Sequence, residues 1–186
     1  MLLNSQTKIF EEFLIDFENG LTGSYIAKKK KLNQKTVANY LNSLEKEGIL
    51  KSKIQGKNKL YYLNLENKEI LVNFMVAIEH FRTINFYEDN LVVKEIFEKI
   101  DSFIEGVVIL FGSYAKGLQK KSSDLDILVI GGCNEKKIYE ISKIYKIDIN
   151  LKIYPKIEKD ILFEEVLKNH IVLKNAEGFI KGVFYG

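Results

Sequence analysis

Apolar residues recur at Ile9, Phe10, Phe13, Leu14 and Phe17. Their spacing of three and four predicts a helix over residues 5–17, stopped by Asn19-Gly20. A short helix over residues 23–31 follows, with Tyr25, Ile26 and Ala27 as its apolar part and Leu32-Asn33 as the turn. Asn33 is placed to N-cap a third helix, residues 34–47, with Val37, Tyr40, Leu41 and Leu44 along one face. Gly48 stands where a helix C-terminus favours glycine. Two extended runs come next, residues 49–54 and 59–65, joined by Gln55-Gly56-Lys57-Asn58. Tyr61, Leu63 and Leu65 alternate with Tyr62 and Asn64, and the glycine in the connection predicts a hairpin.

Beyond the hairpin the period lengthens again. Ile70, Leu71, Phe74, Met75, Ile78, Phe81 and Ile84 predict a long amphipathic helix over residues 67–87, and a second helix spans residues 90–104. Gly106 then marks a change. Val107–Phe111 is a continuous apolar run, as in a strand covered on both faces. Residues 124–130 and 147–154 read as further strands, 135–145 and 157–169 as helices, with Ile171-Val172-Leu173 leading to an amphipathic tail. Helices and strands alternate here, so the second half reads as α/β.

Charge is distributed unevenly along the chain. Residues 21–60 carry ten lysines against two glutamates, while residues 61–186 carry seventeen basic against nineteen acidic side chains. A basic block ahead of a near-neutral body points to two modules, the first with a polyanionic partner. The composition, 46% hydrophobic and 28% charged, suits an ordinary globular protein. A lone cysteine, Cys133, excludes an intrachain disulfide, and the start of the sequence has no signal-peptide core. No apolar run is long enough for a membrane span, so the expectation is a cytoplasmic protein without a membrane partner. His80 and His170 lie far apart, and with Cys133 they make no zinc ligand set.

The candidate chemistry sits in Phe111-Gly112-Ser113-Tyr114-Ala115-Lys116-Gly117 and Ser122-Ser123-Asp124-Leu125-Asp126-Ile127. A buried strand runs into Gly112-Ser113, where glycine lets a phosphate approach the backbone and the serine hydroxyl adds a donor. Asp124 and Asp126 are two apart on a predicted strand, so both point to one face while Leu125 and Ile127 face the other. Two carboxylates on one face can hold Mg²⁺, which keeps waters and takes phosphate oxygens as its remaining ligands. Asp-x-Asp or Gly-Ser alone is common. Their combination, Gly-Ser after one apolar strand and Asp-x-Asp opening the next, is specific.

Residues 111–130 resemble the signature of the polymerase-beta-like nucleotidyltransferase superfamily, especially its minimal nucleotidyltransferase branch. Ala115, Gly117 and Ser123 match alongside Gly112, Ser113, Asp124 and Asp126, and the resemblance covers roughly residues 90–180. It implies two Mg²⁺ ions, ATP or another nucleoside triphosphate as substrate, and a third carboxylate on a neighbouring strand. Asp148 is the candidate for that carboxylate, since it alternates with Ile147 and Ile149; Asp160 and Glu164 are weaker alternatives. Asp148 would be the base or the ligand on the nucleophile's side. Ser123 joins Gly112 and Ser113 as a nucleotide-binding candidate, and Lys116, Lys120 and Lys121 either neutralise phosphates or are ordinary surface lysines.

Three helices followed by a hairpin is the order of a winged helix-turn-helix, and residues 23–65 resemble winged-helix transcription regulators. The resemblance implies double-stranded DNA as partner. Asn33, Gln34, Lys35, Thr36 and Asn39 would meet the major groove, and Lys51, Lys53, Lys57 and Lys59 would meet phosphates on or beside the wing. Lys28–Lys31 is either part of that surface or a solvated helix end.

The expected organisation is therefore two-domain. A winged helix spans residues 1–66 and a connecting helix, also the candidate homodimer contact, spans 67–89. An α/β nucleotidyltransferase domain with a mixed sheet spans 90–186. The resemblance implies an Mg²⁺-dependent enzyme that transfers a nucleotidyl group to a protein hydroxyl, with a DNA-binding head. Minimal nucleotidyltransferases resembling this one often act as antitoxins toward HEPN-type toxins, and a DNA-binding head would suit autoregulation. The alternative is a transcription regulator whose second domain senses nucleotide without catalysis. An antibiotic-modifying enzyme is disfavoured by the basic head.

Overall fold

The computed structural model describes residues 2–15, 19–158 and 160–186. The chain divides into two compact units, Met1–Ile78 and Glu79–Gly186.

In the first unit, helix α1 (Leu2–Ile15) buries Ile9, Phe10, Phe13 and Leu14. Phe17, which the periodicity adds to this stripe, lies outside the described residues. Strand β1 (Leu21–Thr22) was not foreseen, because two residues are too few to display an alternation. The Thr22 hydroxyl then accepts a hydrogen bond from Tyr25 N at 3.1 Å and caps α2 (Gly23–Lys30). Lys31 takes a left-handed conformation (φ 54°) and ends that helix one residue earlier than expected.

Asn33 caps α3 (Gln34–Lys46), as the sequence predicts: its Oδ1 accepts from Lys35 N at 2.9 Å and Thr36 N at 3.3 Å. Val37, Leu41 and Leu44 turn inward, each worth about 1.5–3 kcal/mol of burial. Strands β2 (Leu50–Gln55) and β3 (Asn58–Leu63) pair antiparallel with Gln55 opposite Asn58. The turn is therefore only Gly56-Lys57, tighter than the four-residue connection expected. β3 stops two residues early because Asn64 turns back, its Nδ2 donating to Gly48 O at 2.9 Å. The strands run in the order β1-β3-β2, and helices α1–α3 with this hairpin form a winged helix.

Helix α4 (Lys68–Asp89) runs two residues past its expected end, and the division between the units falls within it. Its Leu71, Val72, Met75 and Ile78 are buried in the first unit, and Phe74 meets Phe10 edge to face at 4.8 Å. Ile70 and Ile84, both from the predicted apolar stripe, remain exposed.

In the second unit, α5 (Leu91–Ile100) closes with a 3₁₀ turn (Asp101–Phe103), not at Ile104 as the periodicity predicts. Lys174 ties down this turn, its ammonium donating to the carbonyls of Asp101 and Ile104, each at 2.9 Å. Strand β4 (Ile104–Phe111) starts there and passes straight through Gly106, which faces Gly131. A Cβ on Gly106 would collide with the Ile130 carbonyl, so glycine here permits close strands and does not mark a break.

After β4 come the single-turn α6 (Gly112–Ala115), β5 (Leu125–Cys133), α7 (Glu135–Tyr145) and β6 (Ile149–Tyr154). Helix α8 (Ile161–Lys168), β7 (Ile171–Lys174) and α9 (Ala176–Tyr185) complete the unit. The sheet order is β6-β5-β4-β7; β5 and β6 are parallel and the other pairs antiparallel. Val108, Leu110, Leu125, Ile127 and Ile149 share a core with Ile96 of α5 and Ile138 of α7. The alternate residues Val107, Ile109, Leu128 and Ile130 are buried too, as are Phe163 of α8 and Phe179 of α9. A mixed sheet with helices against it is the α/β architecture expected. Helix α8 begins four residues later than predicted, because Asp160 caps it by accepting from Phe163 N at 2.8 Å.

A buried charged cluster joins the last part of α4 to β7. Arg82 Nη1 donates to both oxygens of Glu79, at 2.8 and 3.0 Å, and Nη2 donates to His170 O at 2.7 Å. His170 Nε2 stands 3.3 Å from Glu79 Oε1. Burial alone would push the Glu79 carboxyl up, but Arg82 and His170 outweigh it and hold it at about 2. None of the described helices is long and apolar enough to cross a membrane.

Candidate functional site

The site is built where β4 ends. Phe111 lies opposite Asp126 in the β4–β5 ladder, so the next residue, Gly112, starts α6 directly beside the Asp126 side chain. Gly112 has φ +70°, and a Cβ there would sit only 2.8 Å from Asp126 Cγ and closer still to Oδ2. Both the conformation and the space require glycine. The single turn closes with Lys116 N on Gly112 O at 3.2 Å and Leu118 N on Ser113 O at 2.9 Å. Ser113 is half-buried in α6, and Lys116 is exposed at its end.

The return loop is held at two points. Gln119 Nε2 donates to Asn90 Oδ1 at 3.1 Å. Ser123 Oγ accepts from Lys120 N at 2.9 Å while Ser123 N donates to Lys120 O at 3.0 Å. This reciprocal turn reverses the chain and delivers Asp124 to the mouth of β5. Ser123 thus has a local structural role, its oxygen already accepting one bond.

Asp124 is exposed and Asp126 half-buried, while Leu125 and Ile127 between and after them are buried in the core. Asp124 stands just before β5 and Asp126 at its start; further along the Asp126 face Leu128 and Ile130 are buried, so the polar face expected of Asp-x-Asp is confined to the beginning of the strand. Asp148 precedes β6 and is exposed; its carbonyl accepts from Leu125 N at 2.8 Å, which brings it level with Asp124 on the neighbouring strand. The side chain placed on Asp126 is a different one. Asn150, directly opposite Asp126 in the parallel ladder, donates from Nδ2 to Asp126 Oδ1 at 3.0 Å. Sequence reading missed Asn150, although its place two residues after Asp148 already put it on the same face.

Gly112, Asp126 and Asn150 are therefore brought into contact, with Asp124 and Asp148 at the adjoining strand starts. Among the described residues no three His, Cys, Asp or Glu side chains stand together as a cation site. A divalent ion still fits the donor set, because Mg²⁺ uses one or two carboxylates and completes its shell with water and phosphate. The space that a Cβ on Gly112 would fill is taken by Asp126 Oδ2, so the glycine lets the carboxylate lie against the backbone at the start of the turn. Asp160 is occupied elsewhere, accepting from Tyr154 OH at 2.6 Å and capping α8. The tyrosine hydroxyl and then the Phe163 amide hold the Asp160 carboxyl below its usual range, and the same bond to Asp160 pushes Tyr154 up to about 12.

In the winged helix, Asn33, Gln34, Lys35, Thr36 and Asn39 are exposed along α3, and Lys51, Lys53 and Lys57 are exposed on the hairpin. Their commitments differ. Lys59 is bound to Glu45 at 2.6 Å and Asn42 at 3.2 Å and lies over the Tyr61 ring. Lys51 meets Glu66 at 3.3 Å, and Lys53 stands 5.9 Å from the Tyr62 ring centre. A cavity of about 210 Å³ opens between Thr22, Ser24, Gln34 and the hairpin residues Lys57 and Asn58. Part of the lysine run is paired within the unit: Lys29 lies 2.6 Å and Lys30 3.0 Å from the buried Glu12. His80 is exposed, and Cys133 is half-buried, its thiol pushed up by burial and then by Glu135.

Comparison with known proteins agrees with the second unit. No curated protein matches the chain. Among solved structures it is similar to the crystal structure of MepR, a transcription regulator of the Staphylococcus aureus multidrug efflux pump MepA. That similarity is 21% identity and a TM-score of 0.36 over 52% of this chain and 75% of that one. Residues 91–177, which contain Gly112, Asp126 and Asn150, match the family model of the nucleotidyltransferase domain.

Proposed function

We propose that the second unit is an Mg²⁺-dependent enzyme transferring a nucleotidyl group from ATP to a hydroxyl of a partner protein, and that the winged helix binds double-stranded DNA. The observation that carries the enzymatic reading is the junction of Gly112, Asp126 and Asn150 beside Asp124, inside the segment that matches the nucleotidyltransferase family.

In this reading Asp124 and Asp126 hold the divalent cation. The ion, when bound, neutralises phosphate charge and stabilises the attacking and leaving oxygens. Gly112 leaves the backbone open to the triphosphate, the Ser113 hydroxyl donates to a phosphate oxygen, and Lys116 adds positive charge at the exposed end of the turn. Asp148, level with Asp124, would accept the proton of the incoming hydroxyl as it bonds to the α-phosphorus and pyrophosphate leaves, or would help to hold the cation. The buried side chains of Leu125 and Ile127 fix the strand that carries the carboxylates, so their spacing needs no rearrangement when substrate arrives.

A HEPN-type toxin is the protein acceptor this reading favours, with the winged helix placing the same chain on its own operator. The support is the resemblance of residues 111–130 to minimal nucleotidyltransferases, together with ten lysines in residues 21–60. The test is incubation of the full chain with Mg²⁺ and α-labelled ATP, alone and with proteins encoded beside it. Label moving to a partner with wild type, and not with Asp124→Ala/Asp126→Ala, is the expected result. Measurable Mg²⁺–ATP binding with no labelled acceptor would replace the enzyme by a nucleotide-sensing regulator.

A further inference from the structure

We infer that Asn150 is a positioning residue that fixes the orientation of the Asp126 carboxylate for cation binding; this rests on the proposed nucleotidyl-transfer site. Asp126 belongs to a strand whose other face is packed, so its backbone is fixed, but a half-exposed aspartate is ordinarily free to rotate about its last torsion. Here it is gripped from both sides. Asn150 Nδ2 holds Oδ1 at 3.0 Å, and the bare Cα of Gly112 leaves just the room that Oδ2 occupies.

The parallel register makes the grip specific. Asp126 is opposite Asn150, and Leu125 N bonds to the Asp148 carbonyl, so a shift of one residue would put Ile149 against the carboxylate. An amide is also the side chain that can do this without adding charge. Asp124, Asp126 and Asp148 already bring three acids to the starts of two adjacent strands, and a fourth carboxylate at 150 would oppose Asp126 across the ladder. Asn150 supplies a neutral donor of the same shape. Groups that orient a metal-binding side chain through a hydrogen bond typically govern affinity by about 10–100-fold.

The experiment measures Mn²⁺ binding to the full chain in the presence of a non-hydrolysable ATP analogue, by the electron paramagnetic resonance signal of the free ion. Thermal midpoints are recorded in parallel, with and without Mn²⁺. Asn150→Leu removes the donor at similar volume and is expected to weaken Mn²⁺ binding about tenfold with a metal-free midpoint close to wild type. Asn150→Asp keeps the shape but opposes two carboxylates. It should lower the metal-free midpoint and make the rise on adding Mn²⁺ larger than in wild type. Wild-type Mn²⁺ affinity in Asn150→Leu, or a wild-type Mn²⁺ response in Asn150→Asp, overturns the inference while Asp126→Asn still loses binding. If wild type and Asp126→Asn bind Mn²⁺ alike, the proposed site fails and this role fails with it.

Discussion

Gly112 and Asp126, fourteen residues apart in sequence, occupy one another's space: the position a Cβ would take on Gly112 is 2.8 Å from Asp126 Cγ. The Gly-Ser and Asp-x-Asp elements are thus two halves of one packed contact, formed because β4 ends opposite the start of β5.

Gly112→Ala should therefore be damaging beyond its effect on stability. The left-handed backbone alone costs an L-residue roughly 1–2 kcal/mol, and the methyl group must also displace the Asp126 carboxylate. The expected outcome is a folded protein, with a thermal midpoint lowered by several degrees, whose Mn²⁺–nucleotide binding is reduced at least as far as in Asn150→Leu. Circular dichroism with a Mn²⁺ titration checks both parts; unchanged binding would separate Gly112 from the site.

The cluster of Glu79, Arg82 and His170 makes a prediction about acid stability. The Glu79 carboxyl lies at about 2 in the folded chain against 4.5 for an ordinary glutamate. Because the folded value is depressed, the stabilisation is complete above the ordinary value and drains away as pH falls from about 4.5 towards about 2. The span corresponds to something on the order of 3 kcal/mol. Urea unfolding in a pH series should show that loss in wild type and a flatter acid limb in Glu79→Gln. The variant should also be less stable at pH 7, by about 3–5 kcal/mol, because Arg82 keeps its charge without the buried carboxylate.

How far the sequence foretold this structure depends on how local each determinant is. Asn33 and its helix, the 135–145 helix and the Asp-x-Asp strand were legible because capping and periodicity are carried by neighbours in sequence. The misplaced ends have distant causes. Lys174 holds the turn between α5 and β4 through the carbonyls of Asp101 and Ile104, and Gly131 lies opposite Gly106, letting β4 run through a residue that reads as a break. Asn150 belongs with these. Its face could be read from the alternation around Asp148, but its contact with Asp126 depends on the register between β5 and β6, which no single strand encodes.

The wing lysines should separate in a DNA-binding experiment, if the winged helix binds duplex DNA as proposed. Each phosphate contact contributes roughly 0.9 to the slope of log affinity against log salt. Lys57 is exposed at the hairpin turn beside the cavity facing Gln34, so Lys57→Ala should lower the slope by about that amount. Lys59 is already committed to Glu45 and Asn42, a bond that also holds the Glu45 carboxyl low together with Ser52. Lys59→Ala should leave the slope nearer wild type. Fluorescence anisotropy with a labelled duplex across a salt series distinguishes them, and equal slopes would remove the distinction.

Asn33 carries two assignments, N-cap of α3 and candidate DNA contact, and substitution can pull them apart. Its Oδ1 accepts from Lys35 N and Thr36 N, which leaves the amide nitrogen to face solvent or a phosphate. Asn33→Ala loses the cap and should cost about 1 kcal/mol of stability. Asn33→Asp keeps a capping oxygen and adds a negative charge that favours the helix N-terminus, so its stability should match or exceed wild type. Duplex affinity should move the other way, because the carboxylate would face the phosphate backbone. A stable Asn33→Asp protein with weakened duplex binding assigns α3 to the DNA surface. The same stability with unchanged binding would make Asn33 a cap alone and move the DNA surface away from this end of the helix.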